Sequence, residues 1–387
     1  MRIRILFFSI YCMFAASACQ NEMHLITDAS YLAKVDSQFQ KQKALCTNKD
    51  SALFHVFNKS LSPFENEALK FLYAYMPLSD LADYDGEFYL KNIQSSAQAK
   101  LTMPWSEKIP ENIYRHFVLP IRVNTETLDT ARLVFYQALK DRVAGLSMEA
   151  AVLEVNHWCH EKVIYRSTDD RTSSPLNCVK TTFGRCGEES TLLVTALRSV
   201  GIPARQCYTP RWAHCDDNHA WVEAWVDGTW KYLGACEPEA ELNKGWFTGP
   251  SKRAMLVNTT VFGDYQGPEE VLEKTPWYTK INVLANYTKT KKIVVKVIDE
   301  QNHAIENANV AFKLYNYAEF YSLSNQITDK NGFCDFETGL GDLLIWASKG
   351  EAYNYQKMTV ANTDTLVLSM ATQPVFISTP FTPPADT

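Results

Sequence analysis

The chain has 387 residues, 46% of them hydrophobic and 12% aromatic, and a formal net charge of −6 at neutral pH. That is ample material for two or three cored domains, so disorder belongs at the ends. The acidic balance argues against nucleic acid as a partner.

At the N-terminus, Arg2 and Arg4 precede an apolar stretch from Ile5 to Phe14 and then Ala15-Ala16-Ser17-Ala18-Cys19. This is the layout of a secretory signal, too short to remain as a spanning helix. The small residues ending on Cys19 resemble a bacterial lipobox, although Ala16 stands where that motif usually has Leu. The resemblance implies removal of residues 1–18, lipidation of Cys19, and a protein exported and lipid-anchored to the bacterial cell envelope. Ordinary cleavage nearby, releasing a soluble secreted protein, is the alternative. Loss of the signal takes the charge to −8. Eight cysteines remain besides Cys12 and Cys19, six of them between 159 and 236, and an exported compartment permits disulfides among them.

Residues 19–145 read as an α-helical N-terminal region. Ser62 to Met76 places Phe64, Leu69, Leu72, Tyr73 and Met76 near one helical face, and Leu128, Leu133, Val134, Leu139 and Val143 repeat at helical spacing further on. The stretches between them carry Asp, Gly and Pro breaks. Residues 146–278 hold the chemistry. After Cys186 in "GRCGEES", Leu193, Ala196, Leu197 and Val200 form an apolar helical stripe, closed by Gly201 and Pro203. Cys186 therefore stands at a helix N-terminus, where exposed N–H groups favour thiolate, and its own N–H is placed to donate to an oxyanion. In "NHAWVEAWVDGTW", Ala220, Val222, Ala224 and Val226 alternate with His219, Trp221, Glu223 and Trp225, a strand that mounts His219 on the face away from the small residues as a general base. Asp227-Gly228 turns the chain into a second strand. From residue 279 to 372 the period changes to short alternating runs with an Asp329–Gly332 turn, which indicates a β-sandwich. Residues 373–387 read as a loose tail.

Taken in order, "GRCGEES", "GIPAR" and the histidine strand 33 positions after the cysteine resemble the transglutaminase-like superfamily, which is similar to papain-like cysteine proteases in catalytic layout. The fold class expected is α+β: a papain-like or transglutaminase-like core, the helical region before it and the sandwich after it. The last region resembles immunoglobulin- or prealbumin-like modules such as carboxypeptidase regulatory-like domains. The superfamily includes transglutaminases, bacterial proteases and peptide N-glycanases, so the resemblance implies a protein or peptide substrate, glycopeptides included. It makes Cys186 the nucleophile and His219 its base.

The family's usual Asp, four residues after the second-strand tryptophan, is replaced by Gly234. Glu237 is the nearest acid. A plain hairpin in which Val226 pairs with Thr229 would put it on the wrong face, and one bulge at Gly234 would correct that. Asp216, Asp217 and Glu239 are the other acids available. Other readings are a disulfide among Cys207, Cys215 and Cys236, a zinc site from those cysteines with His214 and His219, and an inactive binding or scaffold protein. Neither a metal nor an organic cofactor is required. His157 and His160 share a helical face, and Trp212, Trp221, Trp225, Trp230 and Trp246 are available to line an acyl or glycan cleft.

Overall fold

The computed structural model describes residues 22–46, 50–169 and 171–372. The signal, Cys19 and the tail expected over 373–387 lie outside the described residues. Among the described residues no helix is long and apolar enough to cross a membrane.

The first half is helical: α1 (Ala29–Leu45), α2 (Asp50–Phe54), α3 (Pro63–Tyr75), α4 (Leu78–Asp83), α5 (Gly86–Thr102), α6 (Glu111–Phe117), α7 (Ala131–Val143) and α8 (Met148–His160). Helix α3 begins where the Ser62 hydroxyl and the Glu65 carboxylate each satisfy the other's backbone N–H. The Asp–Gly stretch that reads as a break does the opposite in part: Asp85 caps a 17-residue helix whose first residue is Gly86. In α7 the buried face is Ala131, Phe135, Tyr136, Leu139 and Val143, whereas Val134 is 49% exposed. Aromatic residues that the aliphatic pattern had passed over supply that contact.

The middle of the chain adds β1 (Ile164–Tyr165), α9 (Pro175–Thr181), β2 (Phe183–Gly184), α10 (Cys186–Ser199), β3 (Ala204–Thr209), β4 (His219–Val226), β5 (Thr229–Leu233), α11 (Thr248–Ser251), β6 (Asn258–Phe262), β7 (Val271–Lys274) and β8 (Tyr278–Asn282). Strands β5-β4-β3-β6-β8-β7 form one antiparallel sheet, so this layer reaches Asn282 rather than stopping near residue 278. Helix α10 packs on Val222, Ala224 and Val226 of β4, and its apolar residues belong to the same core as those of α3, α5 and α7. The N-terminal helices are thus built onto the core rather than set beside it. Arg198 ties them together, donating to the carbonyls of Pro120, Arg122 and Ala204.

The C-terminal region is a sandwich. Strands β9 (Lys291–Ile298), β10 (Asn309–Asn316), β11 (Glu319–Ile327), β12 (Phe333–Thr338), β13 (Asp342–Lys349), β14 (Ala352–Thr359), β15 (Thr365–Ser369) and β16 (Ala371–Thr372) make a five-stranded sheet, β11-β10-β13-β14-β16, and a three-stranded sheet, β12-β9-β15. Val295, Val297, Val310, Phe312, Phe336 and Ile345 fill the space between them. Strands β11 and β14 were not evident from alternation, because their residues are mostly polar or half-exposed.

Candidate active site

Helix α10 starts at Cys186, as its apolar stripe predicts. Glu188 reaches back to accept from the Arg185 N–H at 3.0 Å, and it also accepts from the Thr168 hydroxyl and the Ser173 N–H. One carboxylate therefore holds the helix start and the loop before it. Gly184 is needed here, since a Cβ would lie 2.9 Å from Glu188 Cβ and 3.0 Å from Cys178 Sγ. On the other side, Gln206 donates to the Gly187 carbonyl at 3.0 Å and accepts from Asn124 at 2.7 Å.

Cys186 is half-buried and lines a cleft of about 860 Å³ between the helical region and the sheet, bordered by Tyr84, Asn124, Tyr208, Asn258 and Trp277. The backbone N–H groups of Ala220 and Gly187 and the charge of Arg185 favour its thiolate, but burial is the larger effect and the thiol is pushed up from its ordinary value. The helix terminus alone led to the opposite expectation. Partial positive charge at a helix start is worth little more than about 1 kcal/mol, less than removing a thiolate from water costs.

His219 begins β4, next to Ala220. Its ring lies among Trp212, Trp221, Trp246 and Phe247, with Trp246 closest at 4.6 Å between centroids. Among the described residues Nε2 is buried without a hydrogen-bond partner, and burial alone lowers the imidazole to about 4. Both shifts favour the neutral thiol and the neutral imidazole over an ion pair.

The β4–β5 ladder pairs Val226 with Thr229 as the turn predicts, but ends at Val222 with Leu233. A turn follows in place of the single-residue bulge considered above: Glu237 N–H donates to the Gly234 carbonyl, and Cys236 takes a positive φ of 59°. The Glu237 carboxylate folds back so far that Oε2 would be 2.1 Å from a Cβ at position 234. It fills the space in which a side chain at 234 would begin. The Trp246 indole N–H donates to this carboxylate, and burial still raises it. Glu237 thus reaches His219 through Trp246.

The other acids are engaged elsewhere or face solvent. Asp216 accepts from the Tyr317 N–H and Asp217 from the Asn218 N–H, while Glu239 is exposed. Glu189, which the sequence did not single out, is buried on α10 one turn after Cys186, and burial and the facing Glu237 raise it to about 8. Only its i+3 spacing from Cys186 would have marked it.

The cysteines considered for a disulfide or a zinc site diverge. Cys207 is buried against Tyr287 and Glu223, Cys215 is exposed beside His214, and Cys236 lies against Cys159. Among the described residues no three such side chains converge on a metal-sized site. His157 and His160 part company: His157 faces Glu161 at the surface, and His160 donates to the Cys236 carbonyl.

Residues 137–235 match the family model described as the transglutaminase-like superfamily. That segment is similar to the transglutaminase-like superfamily. The matched segment takes in Cys186, His219 and Gly234 and stops two residues before Glu237. No curated protein matches the sequence. Among solved structures, a putative cysteine protease from Cytophaga hutchinsonii is 18% identical, with 42% of this chain and 61% of that one covered and a TM-score of 0.26. Red sea bream transglutaminase is 10% identical over 72% of this chain and 66% of its own, with a TM-score of 0.34. A putative protease from Parabacteroides distasonis is 13% identical over 57% and 36%, with a TM-score of 0.25. The chain therefore spans less than two thirds of the length of each.

Proposed function

We propose that this transglutaminase-like protein is a thiol enzyme acting on amide bonds of protein or peptide substrates, exported and anchored through Cys19. The observation that carries the reading is Cys186 on the wall of the cleft with two backbone N–H groups, from Gly187 and Ala220, directed at its sulfur. His219 takes the thiol proton as Cys186 attacks the carbonyl and then gives it to the leaving amine. The Cys186 N–H lies in the first turn, where helix N–H groups lack an intrahelical acceptor, and it donates to the oxyanion. The thioester passes to water, giving peptidase or amidase action, or to a second amine, giving acyl transfer. We favour water, which the half-open cleft admits. Glu237 is a positioning residue that holds Trp246 against the imidazole.

A second reading is favoured by one set of facts: Gly234 in place of Asp, an imidazole whose buried Nε2 has no hydrogen-bond partner among the described residues, and a thiol raised by burial. These suit a binding protein on the same fold that has lost turnover. Acyl trapping separates the two. Protein treated with p-nitrophenyl acetate, and separately with a panel of peptide carboxamides, is acid-quenched and mapped by mass spectrometry. The enzyme reading expects an acyl group on Cys186 that hydroxylamine removes and Cys186→Ala abolishes, formed about 100-fold more slowly in His219→Ala. Absence of any adduct with both reagents supports the scaffold. Added primary amine then separates hydrolysis from transfer by product mass.

A further inference from the structure

Two thiols outside this chemistry meet beneath the Glu237 turn. Cys159, on α8, has 0% exposure and Cys236 has 4%, and their side chains are in hydrogen-bond contact. Asn156, one turn before Cys159 on α8, and His160, next to it, grip the same turn. Asn156 Nδ2 donates to the carbonyl of Gly234 at 2.9 Å and of Glu237 at 3.3 Å, its Oδ1 accepts from the Cys236 N–H at 2.8 Å, and His160 Nδ1–H donates to the Cys236 carbonyl at 2.9 Å. Positions 156, 159 and 160 lie on one helical face by their spacing, so these bonds bracket the thiol pair and fix its approach. Cys178 is also nearby, but its thiol is directed at the Phe183 carbonyl at 3.6 Å.

We infer that Cys159 and Cys236 form a disulfide when the protein meets a disulfide oxidant, welding α8 to the turn that carries Glu237. The chemistry is ordinary exchange. One thiolate attacks the oxidant's S–S bond and releases one thiol; the second cysteine then attacks the resulting mixed disulfide and releases the other. The two cysteine sulfurs are oxidised by two electrons in all, the oxidant's two sulfurs are reduced, and the two S–H protons pass to the released thiols. Burial shields both sulfurs from the oxidant and raises the Cys236 thiol, so closure is slow. The bond links positions 77 apart in the unfolded chain, a separation at which cross-links stabilise substantially. Its bearing on catalysis rests on the Glu237 reading above, whereas the bond itself does not.

The test uses the whole protein held in oxidised glutathione at pH 8 under native conditions, then denatured in iodoacetamide without reductant and mapped by mass spectrometry. Cys186→Ala runs alongside to remove exchange by the reactive thiol. The expected result, in both proteins, is a linked peptide pair containing Cys159 and Cys236 and short by two hydrogens. A melting temperature a few degrees above that of the reduced protein should accompany it. Alkylation of both cysteines, glutathione retained on either, or a link from either to Cys178 would each overturn the inference. Since the readout is a mass and not an activity, an enzyme without turnover still passes or fails it.

Discussion

Gly234 and Glu237 share one place in space. Any side chain at 234 would displace the Glu237 carboxylate, so Gly234→Ala should lose most activity in the acyl-trapping assay, on the order of tenfold or more. If an acid at that place is what matters, Gly234→Asp combined with Glu237→Ala should recover activity that neither single change retains. Failure of the pair to recover would remove Glu237 from the site. The resting protonation states make a second, independent claim. Because burial lifts Cys186, the rate of its alkylation by iodoacetamide should rise with pH to a midpoint above the ~8.5 of a free thiol. A midpoint near or below pH 7 would mean a preformed thiolate–imidazolium pair and a different mechanism. The lowered imidazole works in the same direction, since a ring that protonates only near pH 4 disfavours the imidazolium of a preformed pair throughout the neutral range.

The tip of the β10–β11 hairpin shows why the sandwich is attached. Asn316 is 2% exposed, and its Nδ2 donates to the carbonyls of Trp212 at 2.8 Å and Cys215 at 2.6 Å, while the Tyr317 N–H donates to Asp216. Tyr317 and Ala318 both take positive φ, as a tight hairpin turn requires. That turn presents Asn316 to the loop before β4, whose Trp212 stacks over His219 and Trp221. Asn316→Ala removes the side-chain donor from the buried Trp212 carbonyl and leaves the Cys215 carbonyl only the Asp217 N–H, and should cost about 1–3 kcal/mol in urea unfolding, with faster amide exchange over residues 211–217. The β3–β4 pair is held from the same face by Arg205 and Glu223, both 1% exposed and 2.7 Å apart, with Arg205 also over the Trp230 ring at 3.9 Å. Arg205→Ala strands a buried carboxylate and should cost about 3–5 kcal/mol, more than an exposed ion pair would.

Folding as a whole should respond to acid through its buried histidines. His116, which donates to the Phe262 carbonyl, is lowered to about 3 and His219 to about 4, both from 6.5. The unfolded chain binds these protons below pH 6.5 and the folded protein does not, so this stability is complete above 6.5 and falls as pH drops towards 4. Glu189 acts in the other direction. Raised from 4.5 to about 8, it keeps its proton in the folded state, and its cost grows as pH rises from 4.5 to 8. Unfolding curves across pH 4–9 should therefore show Glu189→Gln gaining on the parent protein with rising pH and levelling off above 8, with no difference near 4.5. A constant difference at all pH values would show that the carboxylate is not shifted by its surroundings.

Much of the fold was legible because its signals are local. The Ser62 and Glu65 cap, the Gly201 stop after α10 and the Asp227-Gly228 turn each act within a few residues, and the helix and strand periods follow from side-chain direction along one element. Cys186 and His219 were legible for the same reason, one at a helix start and the other on an alternating strand. What the sequence determined, then, was the set of elements and the two groups that carry chemistry. Only the tertiary structure decided what those groups are worth. Burial overrides the helix terminus at Cys186, Glu237 folds into the place of residue 234, and Asn156, 78 positions away, holds that turn. Desolvation and contacts between distant segments depend on which surfaces come together, and no pattern within a single segment contains that information.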